Sequence, residues 1–323
     1  MSLFIGLDLG GTNLKYALGT GNGDLLIRFS KPSMAFAKQD KIFENMFSAV
    51  DQLIEVAASR GETVVAIGIG SPGCVDFETG QLLGSTPNFV DWTNAPIKKR
   101  FEERFHVPTW VDNDANMMAL AESRKGAGRG YRSVLCATLG TGIGGGMVIN
   151  GELYRGSHYS AAEIGHIVIE IDGRPCNCGN RGCLEAYAAA PAIVDRYRKK
   201  LKRFGVMFDI EGLNTETIFL KAQLNEDLAK ETILETCDYL GTGLASVANV
   251  IDPDLIILGG GVAEAGNEFI QRIEQAVKQN AIGAIAEKIR VVKAMLNVDA
   301  GIIGAILLAA ENYAASHSKP RKL

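Results

Sequence analysis

The chain is short of net charge. Its 33 basic and 37 acidic side chains leave −4 at pH 7 over 323 residues. Nothing in that balance draws it to nucleic acid or to an anionic membrane. The opening residues, MSLFIGLDLGGT, lack a basic n-region, a long apolar core and a small-residue cleavage site, so no secretory leader is expected. No uncharged apolar run long enough to span a bilayer is expected either. A disulfide framework is excluded on spacing and size. Cys74, Cys136 and Cys237 are scattered among apolar neighbours and read as buried thiols, and the other three of the six cysteines crowd too closely for ordinary bridges. Such usage fits the reducing cytoplasm. There is no Pro/Ser-rich linker, no short-period repeat and no low-complexity segment. Hydrophobic residues at 47% supply material for real cores, and the length suits two lobes of roughly 100–200 residues each.

Glycine is abundant, at 37 residues, and clustered. The clusters fall at the ends of β-rich runs. Phe4–Asp8 reads as a strand, GGTN as a turn, and Leu14–Leu18 and Leu25–Phe29 as further strands. A helix follows over about Asp40–Ser59, with Ile42, Met46, Val50, Leu53, Ile54 and Ala57 near a 3.6 period. Val64–Ile69 is a strand ending in the breaker Ser71–Gly73. Pro96 opens a helix to Phe105, and the strand Val107–Val111 leads into the helix start DNDANMMALAES. The order then recurs. Ser133–Thr138 and Gly145–Ile149 are strands around a glycine loop, and Tyr154–Arg155 opens an irregular stretch. Helices at Ala190–Phe204, Thr215–Leu224 and Asp227–Val250 follow, then strand Leu255–Leu258, helix Glu268–Gln279, strand Ile289–Val292 and an apolar helix Gly301–Ala314. A hinge is expected close to Asp112–Asn116, with the last helix returning to the first lobe.

The densest chemistry lies between Ala162 and Tyr187. His166, Cys176, Cys178 and Cys183 are spaced His-x9-Cys-x-Cys-x4-Cys, and a glutamate, Glu163 or Glu185, stands on each side. One imidazole and three thiolates form the ligand set of a closed tetrahedral zinc site, which leaves no open position and is therefore structural. His166 can ligate through one ring nitrogen and offer the other to a partner.

Three glycine turns accompany it. Asp8-Leu9-Gly10-Gly11-Thr12 can turn backbone N–H groups toward a phosphate, with Asp8 suited to magnesium; a plain hairpin turn explains the same residues. Residues 140–146 hold five glycines in seven positions, with no Gly-Lys-Ser/Thr and no helix to follow, so neither a P-loop nor a dinucleotide fingerprint applies. Gly259, Gly260 and Gly261 end another strand. Together the turns point to a nucleotide cleft. Asp112-Asn113-Asp114-Ala115-Asn116 lies between strand and helix. Its acidic residues serve equally as helix caps or, in Asp114, as a base for an attacking hydroxyl.

Asp8–Lys15 (DLGGTNLK), Ser71–Gly73 (SPG), Asn113–Asn116 (NDAN), Leu139–Gly146 (LGTGIGGG), Glu163–His166 (EIGH), Cys176–Glu185 (CNCGNRGCLE) and Leu258–Gly261 (LGGG) in this order resemble the ROK family of sugar kinases, over about residues 3–312. The resemblance implies an α/β, two-lobed actin/hexokinase-like (ribonuclease H-like) ATPase fold with an interlobe cleft. Residues 1–113 plus about 300–316 would form the small N-terminal lobe, and 114–299 the large C-terminal lobe with the zinc knuckle. It implies ATP-dependent phosphorylation of a hexose or N-acetylhexosamine at its 6-hydroxyl, with a small-molecule sugar as partner, no nucleic acid or membrane, and a homodimer as the usual assembly. By the resemblance Asp114 is the base. Gly73, Asn88, Asn113, Glu163, His166 and Glu185 line the sugar site, and Asp8 belongs to the magnesium site. Gly10, Gly11, Thr12, Thr141 and Gly142 meet phosphate, Gly259–Gly261 lie near the adenosine, and His166, Cys176, Cys178 and Cys183 hold zinc. Thr86-Pro87-Asn88-Phe89 with Trp92 resembles the glucokinase branch. Ala161-Ala162-Glu163 departs from the Ala-Gly-Glu of bacterial glucokinases toward the N-acetylmannosamine kinase branch. Glucose is the favoured substrate, with N-acetylmannosamine or N-acetylglucosamine as alternatives. The family's repressors carry a helix-turn-helix ahead of the phosphate motif, for which no room is expected here. A sugar-binding regulator without catalysis is the remaining rival.

Overall fold

The computed structural model describes residues 2–84, 86, 89–206 and 212–318. Two compact units divide the chain. The first comprises residues 1–129, 153–161 and 298–323, and the second 130–152 and 162–297. The boundary thus falls at Gly130, beyond the hinge expected near Asp112–Asn116, and residues 153–161 return to the first unit.

In the first unit β1 (Ser2–Leu9), β2 (Asn13–Thr20), β3 (Leu25–Pro32), α1 (Gln39–Ser59), β4 (Thr63–Ser71), the hairpin β5 (Cys74–Asp76) and β6 (Gln81–Leu83), α2 (Ile97–Phe105), β7 (Thr109–Asn113) and α3 (Asp114–Lys125) follow in order. The main sheet runs β3-β2-β1-β4-β7. β1 pairs antiparallel with β2 and parallel with β4, and β4 pairs parallel with β7. Side chains alternate across a strand, and β1 uses both faces. Leu3, Ile5, Leu7 and Leu9 bury against Ile42, Phe43, Met46, Val50 and Leu53 of α1. Phe4 on the other face packs with Ile302, Ile306 and Ala309 of the C-terminal helix Ala300–Ser318. That helix is apolar because sheet and α3 cover it. It lies so close that a Cβ on Gly68 would overlap the Ala305 carbonyl oxygen, and one on Gly304 the Met117 carbonyl oxygen. By length and composition Asn297–Ser318 could cross a membrane, with mean hydropathy 1.3, contrary to the sequence expectation. Its packing here is that of a core helix.

With the closing helix Ala300–Ser318 numbered α10, the second unit contains β8 (Val134–Leu139), β9 (Ile143–Ile149), the first residue of β10 (Glu152–Tyr154), α4 (Glu185–Ala188), α5 (Ala190–Arg203), α6 (Thr215–Gln223), α7 (Asp227–Ile251), β11 (Leu255–Gly259), α8 (Asn267–Asn280), α9 (Gly283–Ala286) and β12 (Val291–Lys293). Its sheet runs β10-β9-β8-β11-β12, the same path as in the first unit, with β8 antiparallel to β9 and parallel to β11. The repeated order is the expected ribonuclease H-like α/β fold. The hairpin β5–β6 and the short β10 and α9 carry too few residues for a period and were not expected. Cys136 and Cys237 are buried as expected, but Cys74 is only partly buried and accepts a hydrogen bond from Ser160 Oγ at 3.2 Å.

Candidate functional site

Strand register places Asp8. Phe4, Gly6 and Asp8 share the face turned to α10, and a Cβ on Gly301, in the first turn of that helix, would overlap the Asp8 carboxylate. Glycine at 301 is therefore what lets the helix start meet this carboxylate. Burial pushes the Asp8 pKa up, and the Lys15 ammonium 3.8 Å away pulls it back down. Gly10 N–H bonds the Asn13 carbonyl at 2.9 Å, and Gly11 and Thr12 are exposed. The turn is thus a hairpin turn whose glycine edge faces solvent.

The DNDAN segment separates two roles that its sequence leaves mixed. Asn113 is the cap of α3: its Oδ1 accepts from the N–H groups of Ala115 at 2.9 Å and Asn116 at 3.2 Å. Its Nδ2 donates to the Gly73 carbonyl at 3.0 Å, tying the cap to the turn after β4. Asp112 is buried, with 3% of its side chain exposed. It accepts from Asn113 N at 2.7 Å, Asn116 Nδ2 at 2.8 Å and Arg155 Nε at 2.6 Å. Asp114 is the first residue of α3, half-buried, its Oδ1 accepting from Ala115 N at 2.9 Å. A carboxylate at that position is stabilised by the helix N-terminus. Gly73 has φ +90 and packs on Thr86, where a Cβ would lie 2.5 Å from Cγ2. Asn88 lies outside the described residues.

In the second unit the loop between β8 and β9 is held from below by Glu185. Its Oε2 accepts from Ile143 N at 2.8 Å, and a Cβ on Gly142 would lie 2.6 Å from that oxygen. Gly140 has open space where a Cβ would be, and Thr141 is exposed. Not every glycine here faces outward: a Cβ on Gly145 would overlap the Ala162 carbonyl oxygen, and one on Gly165 that of Ile143. Glu163 precedes and His166 ends the short 3-10 turn Ile164–His166, which rests on β9. Ala162 holds φ +64, left-handed backbone that costs a non-glycine residue about 1 kcal/mol. That is the physical reason glycine suits this position, and why Ala-Ala-Glu is a departure. Gly260, with φ +85, closes against Leu139, and Gly261 is open. Beyond Gly261 a cavity of about 440 Å³ is lined by Phe219, Ala222, Gln223, Ala265, Glu268 and Phe269 among others.

His166, Cys176, Cys178 and Cys183 come together with all ligand atoms within 4.8 Å of one another. His166 Nδ1 and Cys176 Sγ are 3.7 Å apart, as are the sulfurs of Cys178 and Cys183. Zinc bonds of about 2.3 Å to sulfur and 2.0–2.1 Å to nitrogen give tetrahedral edges of about 3.6–3.8 Å, so the four donors fit the ion. Cys176 N bonds the Asn180 carbonyl at 2.8 Å and Gly179 N the Cys176 carbonyl at 3.0 Å, forming the knuckle turns. Burial pushes the Cys183 thiol up to about 12 and Cys176 in the same direction, while the Asn180 backbone N–H holds Cys178 below the ordinary thiol range. Arg174 N donates to the Tyr187 hydroxyl at 2.7 Å, joining the knuckle to α4, which begins at Glu185.

Sequence reasoning did not single out Asp112, Arg155 or Gly301. An acid two residues before a helix start was visible; its burial and its cation 43 positions away were not.

The model of the ROK family matches residues 4–312. Glucokinase of Halalkalibacterium halodurans is 35% identical over 311 residues, which cover 93% of each chain. The crystal structure of a ROK glucokinase from Streptomyces griseus, in complex with glucose and AMPPNP, is 34% identical with TM-score 0.81, covering 96% of this chain and all of that one. A ROK transcriptional regulator, homologue of the E. coli MLC protein, is 27% identical with TM-score 0.85, covering 95% of this chain and 77% of that one. With the family model matching nearly its whole length and a relative 35% identical over 93% of the chain, the chain belongs to the ROK family.

Proposed function

We propose that this protein is an ATP-dependent sugar kinase that phosphorylates the 6-hydroxyl of a hexose, with glucose as its substrate. The observation that carries the reading is the likeness to the glucose- and AMPPNP-bound glucokinase over 96% of the chain. The local chemistry supports it. Asp112 is buried and committed to Arg155, Asn113 and Asn116, whereas Asp114 is half-buried at the start of α3, a placement suited to a carboxylate that takes a proton. A hydroxyl attacking a phosphoryl group needs such a base.

In the first unit Asp114 would accept that proton, and Asn113 and Gly73 would hold neighbouring hydroxyls, with Asn88 assigned there by resemblance. Asp8 would hold magnesium; one hard carboxylate with the remaining positions left to phosphate and water suits that ion. Bound there, the ion would offset charge on the phosphates. The turn Gly10-Gly11-Thr12 would meet phosphate, with Gly11 and Thr12 offering their N–H groups, since the Gly10 N–H is held by the Asn13 carbonyl. In the second unit Glu163, His166 and Glu185 would hold sugar hydroxyls. Thr141 and Gly142 would meet phosphate, and the adenosine would lie at Gly259–Gly261, beside the cavity lined by Phe219 and Phe269. His166, Cys176, Cys178 and Cys183 would hold a structural zinc, fixing the stretch that bears Glu163 and Glu185. A cytoplasmic homodimer is the accompanying expectation, checked by light scattering.

Ala162 supports the rival N-acetylmannosamine reading, and the likeness to a ROK regulator supports a non-catalytic sugar binder. A coupled ADP-release assay across glucose, mannose, N-acetylglucosamine and N-acetylmannosamine separates all three. Turnover highest with glucose is expected. Turnover confined to the N-acetyl sugars overturns the choice of substrate, and none with any sugar overturns the kinase.

A further inference from the structure

We propose that Arg155 is a positioning residue for Asp114, acting through Asp112 from a strap that docks on the hairpin β5–β6. The proposal deepens the kinase reading and rests on it for its catalytic consequence.

The strap is residues 153–161, flanked in sequence by the second unit but belonging to the first. Arg155 is its anchor. Its Nε donates to Asp112 Oδ2 at 2.6 Å, and its guanidinium carbon stacks 3.7 Å from the centre of the Phe77 ring, in the turn of the hairpin. Two further ties follow the same hairpin. The Tyr159 side chain hydrogen-bonds Glu78, and Ser160 Oγ donates to Cys74 Sγ at 3.2 Å. Ala161 N returns to the Arg155 carbonyl at 3.1 Å and closes the strap on itself.

Asp112 passes the constraint on. The oxygen that Arg155 leaves free accepts from Asn113 N and Asn116 Nδ2, which bracket Asp114 in the chain. Asn113 in turn caps α3 and grips Gly73. Asn116 is 5% exposed, and its Oδ1 has no partner, so Asp112 supplies the hydrogen bond made by its side chain. Without Arg155 a carboxylate 3% exposed would lose its cation, and the segment would rearrange to solvate it. Misplacing a base by about 1 Å costs up to about 10²-fold in rate. Lysine cannot substitute fully, because it lacks the planar group that both stacks and donates.

The test uses R155M, R155K, D112N and the double variant D112N/R155M. R155M is expected to lower kcat about tenfold to a hundredfold with the nucleotide KM within about twofold, and R155K to fall between R155M and wild type. The double variant buries no unpaired charge and is expected to recover most of the R155M loss. By hydrogen exchange, amides of Asn113–Asn116 should exchange faster in R155M and return toward wild type in the double variant, with β1 unchanged. A kcat for R155M within about twofold of wild type, or losses in the double variant that multiply, overturns the proposal. Unchanged exchange at Asn113–Asn116 overturns it even in a chain that phosphorylates no sugar. Inactivity of the wild type would instead sink the kinase reading and leave the exchange experiment to decide this one.

Discussion

Asp114→Asn should abolish most turnover while leaving the protein folded. The structure sets both sides. Asn113, not Asp114, supplies the cap oxygen of α3, and an asparagine at 114 keeps an Oδ1 able to accept from Ala115 N. The stability cost is then the loss of one negative charge at a helix start, about 0.3–1 kcal/mol. In a protein of this size that moves Tm by no more than a few degrees. Removing a general base costs about 10²–10⁴ in rate, or about 3–5 kcal/mol of barrier. Asp112→Asn should behave oppositely. It strips the partner from Arg155, and breaking a buried pair costs about 3–5 kcal/mol, less here because 21% of the arginine side chain is exposed. Its first effect is on Tm. The assay is ADP release with saturating sugar and ATP, beside a thermal melt and a sugar titration of each variant. Turnover by Asp114→Asn within about threefold of wild type would refute the reasoning. So would a melt in which Asp114→Asn is the less stable of the two.

Metal analysis of the purified protein should find zinc bound at the knuckle, and Cys178→Ser should lose it with a lower Tm and weaker sugar binding, since the knuckle organises the stretch from Glu163 to Glu185. Gly68→Ala should destabilise by about 1–3 kcal/mol in chemical denaturation, because the new methyl meets the Ala305 carbonyl. Ala162→Gly should raise stability by up to about 1 kcal/mol by relieving left-handed backbone at φ +64; a lower midpoint would contradict that. Asp8 has a folded pKa above its ordinary 3.8, so its protonated form favours folding and that contribution is lost as pH rises through the folded value. Asp8→Asn should therefore raise the Tm of the ligand-free protein at pH 7, with the gain fading toward pH 3.8, as melts across pH would record.

Much of this was legible in the chain. The β-rich opening run, the glycine turns at strand ends and the cysteine spacing each encode a local rule that tertiary structure obeyed. The repeat of strand, turn, strand and helices became the shared order of two sheets. What stayed hidden depends on distant partners. Asp112 and Asp114 look alike in sequence, and burial against Arg155 and Asn116 sets Asp112 apart. Gly301 reads as a helix residue of low propensity until Asp8 is found against it. The boundary at Gly130 was missed because α3 begins at the expected hinge yet packs with α10. Cys74 reads as a core thiol because its neighbours are apolar, but it opens a hairpin partly exposed to solvent.

The backbone passes from one unit to the other four times, at residues 129–130, 152–153, 161–162 and 297–298. Neither unit can be liberated by a single cut, and expressing the first 129 residues alone would omit both α10 and the strap. A ribosome must release nearly the entire polypeptide before the β1 sheet acquires its second covering layer. Truncation from the carboxyl end should consequently harm the amino-terminal half first, and a protease that nicks one exposed loop should leave the fragments associated rather than free two separable pieces.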